Sequence, residues 1–195
     1  MKELTKLKLQ KKIADIKSGL EKEISRYGRI RDKRELRYLP TEFYLRMEEY
    51  SAALNYMKWY LKNFPNDKAF PEFLLEWAII HFKNGNMKEA KYKIFETWCA
   101  NNYIFDKYFG KDIIPLEKLE KSHKESADYA KLIHHSAGSK KLADFDQWLK
   151  GFISSENFIN LCKQFTDIRR RLLTEKNPDV RNELTAKEKN LKYKL

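Results

Sequence analysis

Apolar side chains in residues 2–27 fall at Leu9, Ile13, Ile16, Leu20, Ile24 and Tyr27. Steps of four, three, four, four and three draw one stripe along a helix, with Lys and Glu opposite it. Gly28 is placed to end that helix. Such a stripe must be covered, either by closing an open end of the chain's own helical array or by self-association with a second copy. Residues 49–63 place Ala53, Leu54, Met57, Tyr60 and Leu61 on one side of a second long helix, which Phe64-Pro65-Asn66-Asp67 terminates. A short helix is expected over about 40–47, opened by Pro40.

The stretch LLEWAIIHFKNGNMKEAKYKI sets two apolar runs on either side of Asn84-Gly85-Asn86. Pro71 opens the first run, where a missing N–H costs nothing. Gly85 supplies a left-handed turn. The pattern predicts helices over 71–83 and about 87–101 joined as a hairpin. After Gly110 a loop at Ile114-Pro115, a charged helix and Gly138 are expected, then helices over 141–150 and 155–174. The second of these carries Phe158, Leu161, Cys162, Phe165, Ile168, Leu172 and Leu173. Residues 179–195 are polar and read as a frayed helix or a disordered tail. No stretch alternates with period two, so the fold class is all-α.

Ala78, Gly85 and Ala90 give the hairpin the small residues and the turn of a tetratricopeptide repeat, which it resembles. Tyr50 and Ala53 match Met87 and Ala90 at an offset of 37 residues, against the usual 34, and Pro65 fits the closing proline. Trp77, His81 and Thr97 depart from that motif's commonest residues. The order of an Arg-rich strip, a proline-ended helix, AKYKIFETWCANNYIFDKYFGK and a Ser-His segment also resembles a group of bacterial proteins with a repeat-like core and no established activity. The resemblance implies about one and a half to two antiparallel helical units over residues 38–105, and protein–protein interaction as the function. The chain then divides into an N-terminal helix and basic connector (1–37), the array (38–110), C-terminal helices (111–178) and a basic tail (179–195).

Charge adds to this. The formal net charge is +12. Residues 1–37 hold 13 basic and 6 acidic side chains, residues 163–195 hold 10 and 5, and the middle holds 17 of each. The excess therefore sits on two basic arms around a neutral centre, which points to an acidic partner. Arg26, Arg29, Arg31, Lys33, Arg34 and Arg37 form the first arm. Arginine suits bidentate contacts to carboxylate or phosphate. Its structural alternative is a connector whose arginines pair with Asp32, Glu35 and Glu42. Arg169, Arg170 and Arg171 fan around about 200° of a helix, so that one faces inward while two meet solvent. With the first strip they carry the alternative function, RNA binding.

No 18-residue apolar run and no signal-peptide h-region is present, so a cytoplasmic protein away from membranes is expected. Cys99 and Cys162 lack metal or CxxC spacing and read as reduced core thiols. His134 and His135 point about 100° apart on a helix, and His123 with Glu120 three residues before it resembles half of a carboxylate-bridged site that has no second copy. No metal, cofactor or catalytic residue is assigned. An all-α enzyme such as a nuclease using His123 or His134 is the third reading. The candidate partner-binding set is Tyr56, Trp59, Tyr60 and His81, as an aromatic groove, with Arg29, Arg31, Arg34 and Arg37 steering an acidic protein or peptide.

Overall fold

The structure, a computed structural model, describes residues 3–28, 30 and 32–195. Arg29 and Arg31 lie outside the described residues. The described chain is all-α, with no strand among those residues. In order the helices are α1 (Glu3–Tyr27), α2 (Leu39–Met47), α3 (Tyr50–Asn63), α4 (Pro71–Lys83) and α5 (Met87–Ala100). They continue with α6 (Ile104–Tyr108), α7 (Ala127–Lys131), α8 (Ala143–Ile153), α9 (Glu156–Thr174) and α10 (Pro178–Asn190).

Helix α1 ends as its sequence predicts. Gly28 takes φ +66° and its N–H donates to the Ile24 carbonyl at 2.8 Å. Leu9 and Ile13 of the stripe pack on Met47, with Phe43 and Tyr44 beside them, so the stripe covers α2 of its own chain. Helices α4 and α5 form the most extensive helix pair among the described residues. Asn84–Asn86 joins them, with Gly85 at φ +75°. Ala53, Ala78 and Ala90, the small positions of the array, are fully buried. Small residues there let backbones approach closely, which is what a tight helical stack requires.

The core has two main parts. Ala53, Tyr56, Met57, Tyr60, Phe73, Trp77 and Ile80 bind α3 to α4. A larger cluster joins the other side of α4 and α5 to α6, α8 and α9 through Leu75, Ile79, Ile94, Phe105, Phe145, Leu149 and Phe158. Helix α4 is therefore apolar nearly all round, as a central helix must be.

Two stretches differ from their sequence patterns. The charged helix expected after Pro115 is largely irregular, with only a 3₁₀ turn at His123–Glu125 and the five-residue α7. Side chains of neighbouring elements hold its backbone instead. Asn101 donates to the carbonyls of Lys124 and Ser126, and the Leu116 N–H donates to the Tyr103 hydroxyl. In the opposite sense, polar residues 178–190 form a helix. Asn177 caps it by accepting from the N–H groups of Asp179 and Val180, and Pro178 fills its first turn.

The Arg-rich connector is organised around Arg37. Its Nε lies 2.6 Å from Asp67 and its NH1 2.9 Å from Asp32. Tyr38 and Tyr60 donate their hydroxyls to Asp67 at 2.8 and 2.7 Å. Burial alone would raise Asp67, but the bonds from Arg37, Tyr60 and Tyr38 outweigh it and hold the carboxyl below its ordinary value. An acid with a depressed native pKa contributes stability above its unfolded value, near 3.9, and loses it as the pH falls through the native one. Asp67→Asn is therefore expected to destabilise at pH 7 and to flatten the acid limb of the stability profile. Denaturant titrations from pH 5 down to 2 read this directly.

Candidate functional site

The residues named from sequence separate into three places. Tyr56 and Tyr60 are core side chains, 4% and 2% exposed. The Tyr56 hydroxyl donates to the Arg37 carbonyl at 2.7 Å, and burial pushes both phenols well above their ordinary value. Trp59 is half-buried under α1. It stacks on Tyr56, its Nε1 donates to Glu21 at 3.1 Å, and Lys17 sits 5.6 Å from the ring centroid. These three aromatics therefore do not line one open face. Arg34 is exposed, whereas Arg37 is committed to Asp32 and Asp67. On α9 the three arginines divide as their fan predicts. Arg169 is 4% exposed, and Arg170 and Arg171 face solvent.

His81 falls where the structure is open. Helix α3 and helix α5 stand apart above α4 and leave a groove between them. One hollow of about 570 Å³ is lined by Leu54, Met57, Leu61, Trp77, His81 and Tyr92, among others. A second, of about 640 Å³, continues past Tyr60, Phe64, Leu74, Phe95 and Cys99 towards the C-terminal end of α10. Leu61, Trp77 and Lys93 line both, so the hollows meet over the Trp77 ring. The floor is α4, the walls are α3 and α5, and Leu61 on the α3 wall is 53% exposed.

Electrostatics mark this groove from the rest of the surface. Lys58 and Lys88 rim the first hollow, and Lys68 and Lys189 the second. None of the four has an acidic partner within ion-pair distance among the described residues. The acids of the second hollow are already engaged, Asp67 by Arg37, Glu96 by Lys93, and Glu125 and Glu188 by Arg169. Lys93 lies 4.4 Å from the Trp77 ring centroid, and Lys124 lies 3.3 Å from that of Phe70. Glu89 is the one carboxylate of the first hollow and has no ion-pair partner among the described residues, against Lys58 and Lys88 there and Lys68 and Lys189 in the second, so the net unpaired charge facing the groove is positive.

The floor holds a second anomaly. The Trp77 Nε1 and the His81 Nδ1 are both buried without a hydrogen-bond partner. Spacing of i, i+4 puts them on one face of α4. Burial and the charge of Lys93 lower the His81 pKa below its ordinary value, against a smaller opposing effect of Glu89. Buried polar atoms are almost always satisfied, and each one left alone costs about 1–3 kcal/mol.

No family model, curated protein or solved structure matches this chain. The groove must be read from its own chemistry. Cys99 and Cys162 are free, and burial raises both thiols above their ordinary value, which keeps them as unreactive thiols. Among the described residues no three His, Cys, Asp or Glu side chains converge as a metal site would need, and no described helix is long and apolar enough to cross a membrane. Sequence reasoning passed over Trp77 and the lysine rim. The available signal was Trp77 and His81 at i, i+4 in a run, Phe73–Phe82, whose other residues are aliphatic or aromatic apart from Glu76.

Proposed function

We propose that this chain is a non-enzymatic adaptor module, built on a tetratricopeptide-like helical array, that holds an acidic segment of another protein in the groove between α3 and α5. One observation carries the reading. An apolar groove with Trp77 in its floor and Leu61 on its α3 wall is rimmed by lysines that have no acidic partner among the described residues. A floor of this kind rewards apolar anchors, and a rim of this kind attracts carboxylates and rejects cationic segments. The exposed rim makes the attraction sensitive to salt.

RNA binding draws less support. Arg169 and Arg37, each the most buried of the described arginines in its basic arm, are held by carboxylates of the same chain.

Selection from a phage-displayed library of random dodecapeptides tests the proposal. Selected sequences are expected to place Asp or Glu beside Leu, Ile or Phe. Their binding is expected to fall tenfold or more on Lys58→Glu with Lys88→Glu. Sequences rich in Lys and Arg, or no convergence at all, would contradict it.

A further inference from the structure

The two orphaned ring nitrogens do not follow from the needs of the core. Trp77 is 3% exposed, and its indole N–H is buried with no acceptor, where an apolar side chain would carry no N–H to satisfy. Its neighbour one turn on, His81, repeats the pattern with Nδ1. Both rings line the groove, and neither nitrogen meets an acceptor from α3, α4 or α5. A neutral imidazole can carry its proton on Nδ1, and indole nitrogen is a donor only. The pair is thus two donors on one helix face, set beneath a positive rim.

We propose that Trp77 Nε1 and His81 Nδ1 together receive one side-chain carboxylate, Asp or Glu, of the segment bound in the groove. The inference rests on the groove reading and adds the specificity element to it. A carboxylate fits better than a neutral carbonyl because Lys58 from α3 and Lys88 and Lys93 from α5 line the same hollow, against Glu89 alone as a carboxylate there. An internal segment fits better than a chain end because the groove continues on both sides of Trp77, so that chain on either side of the carboxylate has a surface to cover. Hydrogen bonds to an ionised group are the strong class, about 1.5–3 kcal/mol each, which is roughly ten- to a hundredfold in affinity.

The test uses the 195-residue protein labelled with ¹⁵N and with ¹³C in its methyl groups, and three blocked or unblocked peptides. These are acetyl-Leu-Asp-Leu amide, acetyl-Leu-Asn-Leu amide, and acetyl-Leu-Leu with a free C-terminus. The chain has four tryptophans, and the indole N–H signal that vanishes in Trp77→Phe is that of Trp77. The Asp peptide is expected to move that signal downfield and to bind at least tenfold tighter than the Asn peptide, with the advantage lost in Trp77→Phe and in His81→Leu. Should both variants fold poorly, through-bond correlations in the unmodified protein assign the Trp77 indole, and its shift still decides.

If the Asp and Asn peptides perturb the Leu61 and Met57 methyl signals equally and leave the Trp77 indole unmoved, the carboxylate receptor is wrong while the groove stands. A free C-terminus that binds tighter than the Asp peptide would overturn the internal-segment assignment. Should no peptide move any signal in the groove, the groove reading itself falls.

Discussion

Arg169→Met is expected to destabilise the protein by about 3–5 kcal/mol, the range for breaking a buried ion pair from one side. In a domain of this size that lowers Tm by roughly 10 °C. Arg169 NH1 lies 2.9 Å from Glu125, and its Nε 2.9 Å from Glu188. It also donates to the Leu119 carbonyl at 3.1 Å and lies over the Phe165 ring. One guanidinium thus ties α9 to α10 and to the irregular segment before α7. Its loss leaves Glu125 without its cationic partner and Glu188 with Lys121 alone. It also loosens α10, which brings Lys189, and Lys192 just beyond its end, to the groove. Arg170→Met, next in sequence but exposed, is expected to change stability by less than about 0.5 kcal/mol. Guanidinium titrations of both variants check the contrast, and equal effects would show that burial of Arg169 is not what matters.

The second large effect is expected at Glu76. This carboxylate is 5% exposed in α4 and accepts from the Thr41 hydroxyl and from His135 Nε2, the latter at 2.9 Å. Burial would lower His135, but the hydrogen bond and charge of Glu76, helped by Glu42 and Glu72, raise its pKa above the ordinary value. A histidine raised in the native state contributes stability in full below its unfolded pKa, near 6.5, and loses it as the pH rises through the native value. Denaturant stability should therefore carry a component that declines from pH 6 to pH 8. Burial raises Glu76 as well, so His135→Leu, which costs about 3 kcal/mol by leaving Glu76 without its cation, should keep a decline with rising pH that vanishes only when Glu76 is replaced too. Replacing both residues by leucine should recover most of the loss, since Thr41 can still donate to the Tyr38 carbonyl. A double variant no better than His135→Leu would show that packing, not charge, sets the cost.

Much of the helical framework was legible because its signals are local. The α1 stripe, Pro71 at the start of α4 and Gly85 in the α4–α5 turn act through spacing or backbone preference alone, and each stands where the pattern predicts. Helix α10 was less legible. Only Leu184 within it is buried, so no stripe reveals it, and its anchors are Asn177 and the Glu188–Arg169 pair. The segment after Pro115 erred in the other direction. Its Lys and Glu favour helix locally, but Asn101, Tyr103 and Arg169 claim its backbone groups from a distance.

The candidate site was the least legible part. Dense aromatics near Tyr56 and Tyr60 read as a groove but fill the core, because helix periodicity does not say which neighbour covers a face. Trp59 is covered by α1, some 40 residues earlier in the chain. The open groove arises from the separation of α3 from α5, and the missing partners of Trp77 and His81 are visible only once every neighbouring acceptor is placed.

The central claim is that an acidic segment binds above α4, between α3 and α5. Its most direct measurement compares the affinity of one library-selected acidic peptide for three proteins at low salt. These are the unmodified chain, Lys58→Glu with Lys88→Glu, and Arg170→Glu with Arg171→Glu. Loss of tenfold or more in the lysine pair, with the arginine pair within twofold of the unmodified chain, is the predicted result. Loss confined to the arginine pair would place the partner on the outer face of α9 and contradict the account.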